Sequence, residues 1–261
     1  MESLLKSVHI KNLWGKYEIN WENIDPQVNI LVGINGCGKT TILNLIEEKL
    51  TGKYALKEKT DAIIDLDYSK RLLIQKNSIA KISTFDIPVI GQRGKAFTLD
   101  GKLEQLIFKR YTEKSYTFVD MQLDRLDELM TRFYTIINRF FASSGKNIYW
   151  DKEDKTLRFH KKDLNYSLTI KDLSAGEKQL LIIFLEILLT KNEPFIILLD
   201  EPELSLDTEW QDMLIDSLVE LKPNAQFIIS THAPNIFGNG WHDKLVWIED
   251  LYLNNALNKV G

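Results

Sequence analysis

Two short segments carry side chains whose types and spacing could do chemistry on a phosphate. Gly33-Ile34-Asn35-Gly36-Cys37-Gly38-Lys39-Thr40 matches G-x-x-x-x-G-K-[ST] at every fixed position. Its glycines let the backbone wrap closely around phosphate with amide N–H groups turned inward. Asn35, Gly36, Cys37, Gly38 and Thr41 are the expected lining residues, and Cys37 fills a variable position where a small residue fits. Lys39 is placed to supply a full charge to the β- and γ-phosphates, and the Thr40 hydroxyl to ligate Mg²⁺. The second segment, Phe195-Ile196-Ile197-Leu198-Leu199-Asp200-Glu201, is an apolar run ending in two carboxylates. Asp200 would hold the metal, and Glu201 would orient and activate an attacking water as a general base.

These residues need strands and helices to hold them. Val28–Val32 (VNILV) reads as a buried strand before the glycine-rich turn, and a helix is expected from about Thr40 to Lys49. Residues 62 to 90 carry short β-branched runs, Ala62–Leu66, Arg71–Ile74 and Ile79–Ile87, which read as antiparallel strands. Between 103 and 143, Met121, Leu126, Leu129, Met130, Phe133, Ile136, Ile137 and Phe140 recur at spacings of three and four, predicting a helical lobe inserted in the core at about 103–146. Residues 147 to 170 return to strands. Helix Ser174–Leu189, strand Phe195–Leu199, helix Asp207–Leu221 and strand Phe227–Ser230 then alternate, which indicates a parallel sheet covered on both faces. Ser174-x-x-Glu177 is a capping box at a helix start, and Asp207 can cap the helix whose apolar stripe is Trp210, Leu214, Leu218 and Leu221. The whole reads as one α/β domain, residues 1–261, of the P-loop NTPase class, with an antiparallel β subdomain beside the parallel core.

Composition narrows the setting. A hydrophobic fraction of 44% supplies ample core, and a formal net charge of −4 argues against a surface that holds nucleic acid throughout. Lys109-Arg110 and Lys161-Lys162 are small basic clusters that read as solvated surface. Cys37 is the only cysteine, so no disulfide can form within the chain, and the count suits a cytoplasmic protein. The longest apolar runs, Leu180–Leu185 and Phe195–Leu199, fall far short of a span, so direct membrane insertion is not expected.

Four blocks, taken in order, resemble the ABC-type ATPases. Beside the cradle, Asp200-Glu201-Pro202-Glu203-Leu204-Ser205-Leu206-Asp207 looks like their joined Walker B and D-loop. Leu173-Ser174-Ala175-Gly176-Glu177-Lys178-Gln179 looks like the signature motif, and Ser230-Thr231-His232-Ala233-Pro234 like the switch-histidine segment. The resemblance implies that His232 senses the γ-phosphate and holds the water in line with Glu201. It implies that Ser174 and Gly176 receive the γ-phosphate of ATP bound to an opposite subunit, with Asp207 in the D-loop. Gln92, in Ile90-Gly91-Gln92-Arg93-Gly94, is the candidate for the Q-loop glutamine that touches Mg²⁺. Two departures stand out: Ala175 replaces the more usual glycine and Glu177 the more usual glutamine of the transporter signature.

The wording of these blocks, with Val8-His9-Ile10-Lys11-Asn12 at the start, resembles the soluble SMC-like and OLD-like branch, including bacterial defence ATPases such as the Septu type. Too few residues separate Lys39 from Ser174 for a long SMC coiled coil, and too few follow His232 for a separate nuclease domain. The resemblance implies a switch that binds and hydrolyses ATP with Mg²⁺, closes as a head-to-tail homodimer around two ATP molecules, and controls a separate effector such as a nuclease in anti-phage defence or DNA repair. The alternative is the ATPase subunit of an ABC membrane transporter, with the helical lobe receiving the membrane subunit.

Overall fold

The computed structural model describes residues 3–52, 62–69, 79–83, 89–90, 96–116, 123–190, 195–238 and 240–253. In chain order the strands are β1 (Leu5–Leu13), β2 (Tyr17–Trp21), β3 (Val28–Val32), β4 (Ile63–Tyr68), β5 (Ile79–Ser83), β6 (Val89–Ile90), β7 (Ala96–Phe97), β8 (Lys146–Asp151), β9 (Thr156–Lys161), β10 (Phe195–Asp200), β11 (Ala225–Thr231) and β12 (Leu245–Trp247). The helices are α1 (Lys39–Thr51), α2 (Leu99–Tyr116), α3 (Leu123–Phe140), α4 (Ala175–Leu188), α5 (Thr208–Leu221) and the short α6 (Ile248–Leu251). They fall into two compact units. The first is Met1–Ser83, Thr190–Glu203 and Pro223–Gly261; the second is Thr84–Leu189 and Leu204–Lys222.

The first unit holds a parallel sheet of order β12-β3-β11-β10-β5 and an antiparallel sheet of order β2-β1-β4. Every residue of β3, β10 and β11 is buried. That is what a parallel strand covered on both faces requires, and it explains their unbroken apolar runs. Leu5, Val8, Ile10 and Leu13 of β1 join Ile42, Leu43 and Ile46 of α1 and Ile196, Leu198 and Ile228 of the parallel sheet in one core. Each such side chain contributes about 1.5–3 kcal/mol by leaving water. Gln226, fully buried in β11, ties the sheets together. Its Oε1 accepts from the Leu5 N–H at 2.7 Å, and its Nε2 donates to the carbonyls of Leu5 at 3.0 Å and Asp25 at 2.8 Å. The whole amide is thus used, which makes its burial affordable.

The second unit contains α2–α5, the β8–β9 hairpin and the two-residue pair β6–β7. Of the predicted stripe, Met130, Phe133, Ile136, Ile137 and Phe140 of α3 are buried, and Leu129 is half-buried. Phe140 meets Phe184 of α4 and Trp210 of α5 with ring centres 5.6 and 6.0 Å apart, and Phe141 stacks on Trp210 at 5.9 Å. Such aromatic pairs add specific geometry to the area they bury.

Two differences from the sequence reading matter. The segment at Ile79–Ser83 is parallel, paired with β10 at the edge of the core sheet, whereas Ile63–Tyr68 is antiparallel to β1 as expected. Strand direction is set by the connection and by which neighbour is reached, and alternation within a strand does not report it. The helical stretch is two helices, beginning at Leu99. Gln92, Arg71–Ile74, Met121 and the side chains of Leu126, Lys109 and Arg110 lie outside what is described. Among the described residues no helix is long and apolar enough to cross a membrane.

Candidate functional site

The phosphate loop leaves β3 and enters α1. Gly36 (φ 83°) and Gly38 (φ 105°) adopt left-handed backbone that side chains resist. Gly33 and Gly38 also lack room: a Cβ at Gly33 would lie 2.6 Å from Ile248 Cγ2, and one at Gly38 2.9 Å from Trp14 Cη2. The start of α1 has no side-chain cap and no acidic residue in its first turn. Its free N–H groups and partial positive charge are therefore open to an anion. Lys39 is buried, and its Nζ donates to the Gly33 carbonyl at 2.7 Å and the Ile34 carbonyl at 3.2 Å. Asn35, Gly36 and Thr40 are exposed along the loop, and Thr41 is half-buried.

The loop is braced from behind. The Tyr252 hydroxyl donates to the Cys37 carbonyl at 2.8 Å, and burial pushes its pKa up to about 12, so it remains a donor at any physiological pH. Burial likewise raises the Cys37 thiol, which keeps it protonated and supports its reading as a small space-filling residue. Trp14, 45% exposed at the β1–β2 turn, flanks the loop, with its ring 6.1 Å from Tyr17, which in turn lies 5.3 Å from Tyr252.

Parallel pairing brings the ends of β10 and β11 to the same loop, because Asp200 lies opposite Ser230. Asp200 Oδ1 accepts from Thr40 Oγ1 at 3.1 Å and from Ser230 Oγ at 2.5 Å. Glu201 follows with φ 46°, a conformation that costs a non-glycine residue about 1–3 kcal/mol and concentrates at functional sites. Its N–H is held by the Ser230 carbonyl at 3.0 Å and Ser230 Oγ at 3.2 Å. One carboxylate oxygen of Glu201 lies 2.9 Å from His232 Nδ1, and the other lies 3.9 Å from Lys39 Nζ. Lys39, Thr40, Asp200, Glu201 and His232 are thus assembled within one unit. Ser230 and Glu203 belong to the same network and were not singled out from the sequence. Ser230 reads only as the end of the strand Phe227–Ser230, and Glu203 lies in the acidic string, where it looks like an ordinary turn residue. Trp14 and Tyr252 carry no motif at all.

The residues present suit Mg²⁺ with a triphosphate: glycines whose Cβ space is filled, an uncapped helix start, one buried ammonium, and a hydroxyl beside a carboxylate of the hard-oxygen type that Mg²⁺ takes. Gln92, expected to touch the same metal, lies outside the described residues.

In the second unit Ser174 caps α4, accepting from the Glu177 N–H at 3.2 Å, while Glu177 accepts from the Ser174 N–H at 2.8 Å. The capping box is therefore formed as its residue pattern implies. The glutamate in place of glutamine also has a partner. Lys146 of β8 donates to both carboxylate oxygens, at 2.7 and 2.8 Å, and both side chains are nearly buried. Gly176 is required by contact: a Cβ there would lie 2.4 Å from the Ser205 carbonyl oxygen. Ser205 itself has φ 70°, and Asp207 caps α5 by accepting from the Trp210 N–H at 2.9 Å.

A family model described as "AAA domain, putative AbiEii toxin, Type IV TA system" matches residues 86–238. The chain is 37% identical over 83 residues to "Retron Ec83 probable ATPase" of Escherichia coli, an alignment covering 28% of this chain and 15% of that protein. It is 25% identical over 253 residues to "Spermidine/putrescine import ATP-binding protein PotA" of Onion yellows phytoplasma, covering 82% of this chain and 58% of that one. The chain thus spans less than two thirds of either relative. Among solved structures the SMC head domain from Thermotoga maritima superposes with a TM-score of 0.54 at 19% identity over 94% of both chains. The family match covers more than half of the sequence, so the chain belongs to this AAA-domain family, and its fold is like that of an SMC head domain.

Proposed function

We propose that the 261 residues form one ATPase domain that binds Mg²⁺-ATP on the loop Gly33–Thr41, hydrolyses it, and uses the cycle to switch a partner. The observation that supports this most is the meeting of Lys39, Thr40, Asp200, Glu201 and His232 through direct polar contacts. In this reading Lys39 exchanges its loop carbonyls for phosphate oxygens. Thr40 and Asp200 hold Mg²⁺, which shields phosphate charge when bound. Glu201 takes a proton from the water that attacks the γ-phosphorus, and ADP leaves with the bond electrons. His232, whose side chain is 43% exposed, steadies Glu201 with one ring nitrogen and offers the other to the γ-phosphate. Gln92 is the proposed Q-loop glutamine that would touch the same metal.

Ser174 and Gly176 serve the ATP of a second copy, so two chains close head to tail around two nucleotides, with Asp207 in the D-loop between them. The relative from a retron system and the toxin–antitoxin wording of the family support placing this switch in a cytoplasmic defence system, controlling a separate effector such as a nuclease. The likeness to a polyamine-import ATPase supports a second reading, in which the partner is a membrane transporter.

Phosphate release by the purified chain, compared with its Glu201→Gln variant, tests the enzyme. Sedimentation of that variant with and without Mg²⁺-ATP tests the dimer, and its co-purifying partners separate a soluble effector from a membrane protein. Turnover no greater than the variant's would overturn hydrolysis, and an unchanged sedimentation coefficient would overturn ATP-driven pairing.

A further inference from the structure

Glu203 has no role in the chemistry described above, yet it is 4% exposed and lies at its centre. Burying a carboxylate is costly, and here burial pushes its carboxyl above the ordinary carboxylate range. An apolar side chain would fill the same volume without that penalty. What the carboxylate does instead is gather the turn that follows β11. Its Oε1 accepts from Thr231 Oγ1 at 2.5 Å and from the His232 backbone N–H at 3.2 Å, and lies 3.6 Å from His232 Nδ1. The Thr231 hydroxyl in turn accepts from the Ala233 N–H at 3.0 Å. Thr231 and His232 are therefore fastened directly to one oxygen and Ala233 to it through the Thr231 hydroxyl, and His232 carries the imidazole that touches Glu201. His232 lies past the end of β11, so no ladder hydrogen bond fixes its direction.

We propose that Glu203 is a positioning residue for ATP hydrolysis, fixing Thr231 and the His232 backbone so that the imidazole stays in register with Glu201. This rests on the reading of Glu201 and His232 as the hydrolytic pair. In this proposal Glu203 acts through His232.

The test is a double-mutant cycle on ATP turnover with Mg²⁺. Glu203→Met, which keeps the volume and removes the acceptor, is expected to lower kcat by about tenfold to a hundredfold, the effect of a small misplacement, with KM for ATP within about twofold. Glu203→Gln keeps the acceptor oxygen and is expected to restore most of the rate. In a His232→Ala background, Glu203→Met is expected to add less than about twofold, because the group it positions is gone. Equal losses in both backgrounds, or a loss confined to KM, overturn the proposal while leaving the assignment of His232 standing. If His232→Ala alone leaves kcat unchanged, the assignment fails and the proposal with it. Should Glu203→Met not fold, Thr231→Val removes the hydroxyl that Glu203 holds and runs the same cycle with the same expected pattern.

Discussion

The two units of this chain hold their functional residues by different means. In the first, Asp200, Glu201 and His232 sit at the ends of β10 and β11, whose every residue is buried, so the sheet carries them into place. In the second, Ser174, Gly176 and Asp207 sit at helix starts, where a capping box, an ion pair and one close backbone approach do the work. A buried strand is over-determined by many apolar contacts, whereas a cap or ion pair is a single interaction. Polar substitutions should therefore separate chemistry from stability in the first unit and couple them in the second.

The largest effect expected is the sharpest form of that separation. Glu201→Gly removes the general base and also relieves a left-handed residue with φ 46°. Turnover should fall by about a thousandfold while the fold gains about 1 kcal/mol, read as a higher Tm. A variant that loses both would show that the acidic turn is held by Glu201 itself and not by the sheet.

Next in size is Lys146→Met. It leaves the Glu177 carboxylate nearly buried without its cation, for a loss of about 3 kcal/mol in chemical denaturation. Adding Glu177→Gln, the residue more usual at this signature position, should restore much of that loss. If Lys146→Met melts like the parent, the ion pair is not what fixes the start of α4. Gly176→Ala should cost somewhat less, about 1–3 kcal/mol, by pressing a methyl on the Ser205 carbonyl, and it should lower turnover as well. Unchanged turnover at reduced stability would confine Gly176 to packing.

The same contrast governs how much of the molecule was legible beforehand. The phosphate loop, β3 and β10 were readable because fixed glycine spacing and unbroken apolar runs have few other uses. The capping box at Ser174 was readable because its partner lies only three residues away. Lys146 was not, since it meets Glu177 from another element, 31 residues earlier. The direction of β5 was hidden because it depends on a neighbour, β10, far along the chain. Glu203 and Ser230 were hidden for a different reason. Glu203, in an acidic turn, reads as solvated, and Ser230 reads only as the last residue of a strand; the burial of both and their shared network come from the structure.

Burial also sets the smallest effect expected, a pH dependence at Glu203. Its folded pKa is raised above the ordinary 4.5, so the folded state binds this proton more tightly than the unfolded state does. Stability from this group therefore rises as pH falls through the folded pKa and is complete below the unfolded one; above both, the cost of a buried charge is fully present. Glu203→Gln removes the titration. Its Tm should exceed the parent's at pH 8, and the gap should close as pH is lowered through the folded pKa to below the ordinary 4.5. A gap that stays constant across that range would mean that the carboxylate is ionised in both states at no net cost, held by Thr231 and the His232 N–H as firmly as water holds it. In that case the first unit, too, would owe part of its stability to a single polar contact, and the contrast between the two units would narrow to the strands themselves.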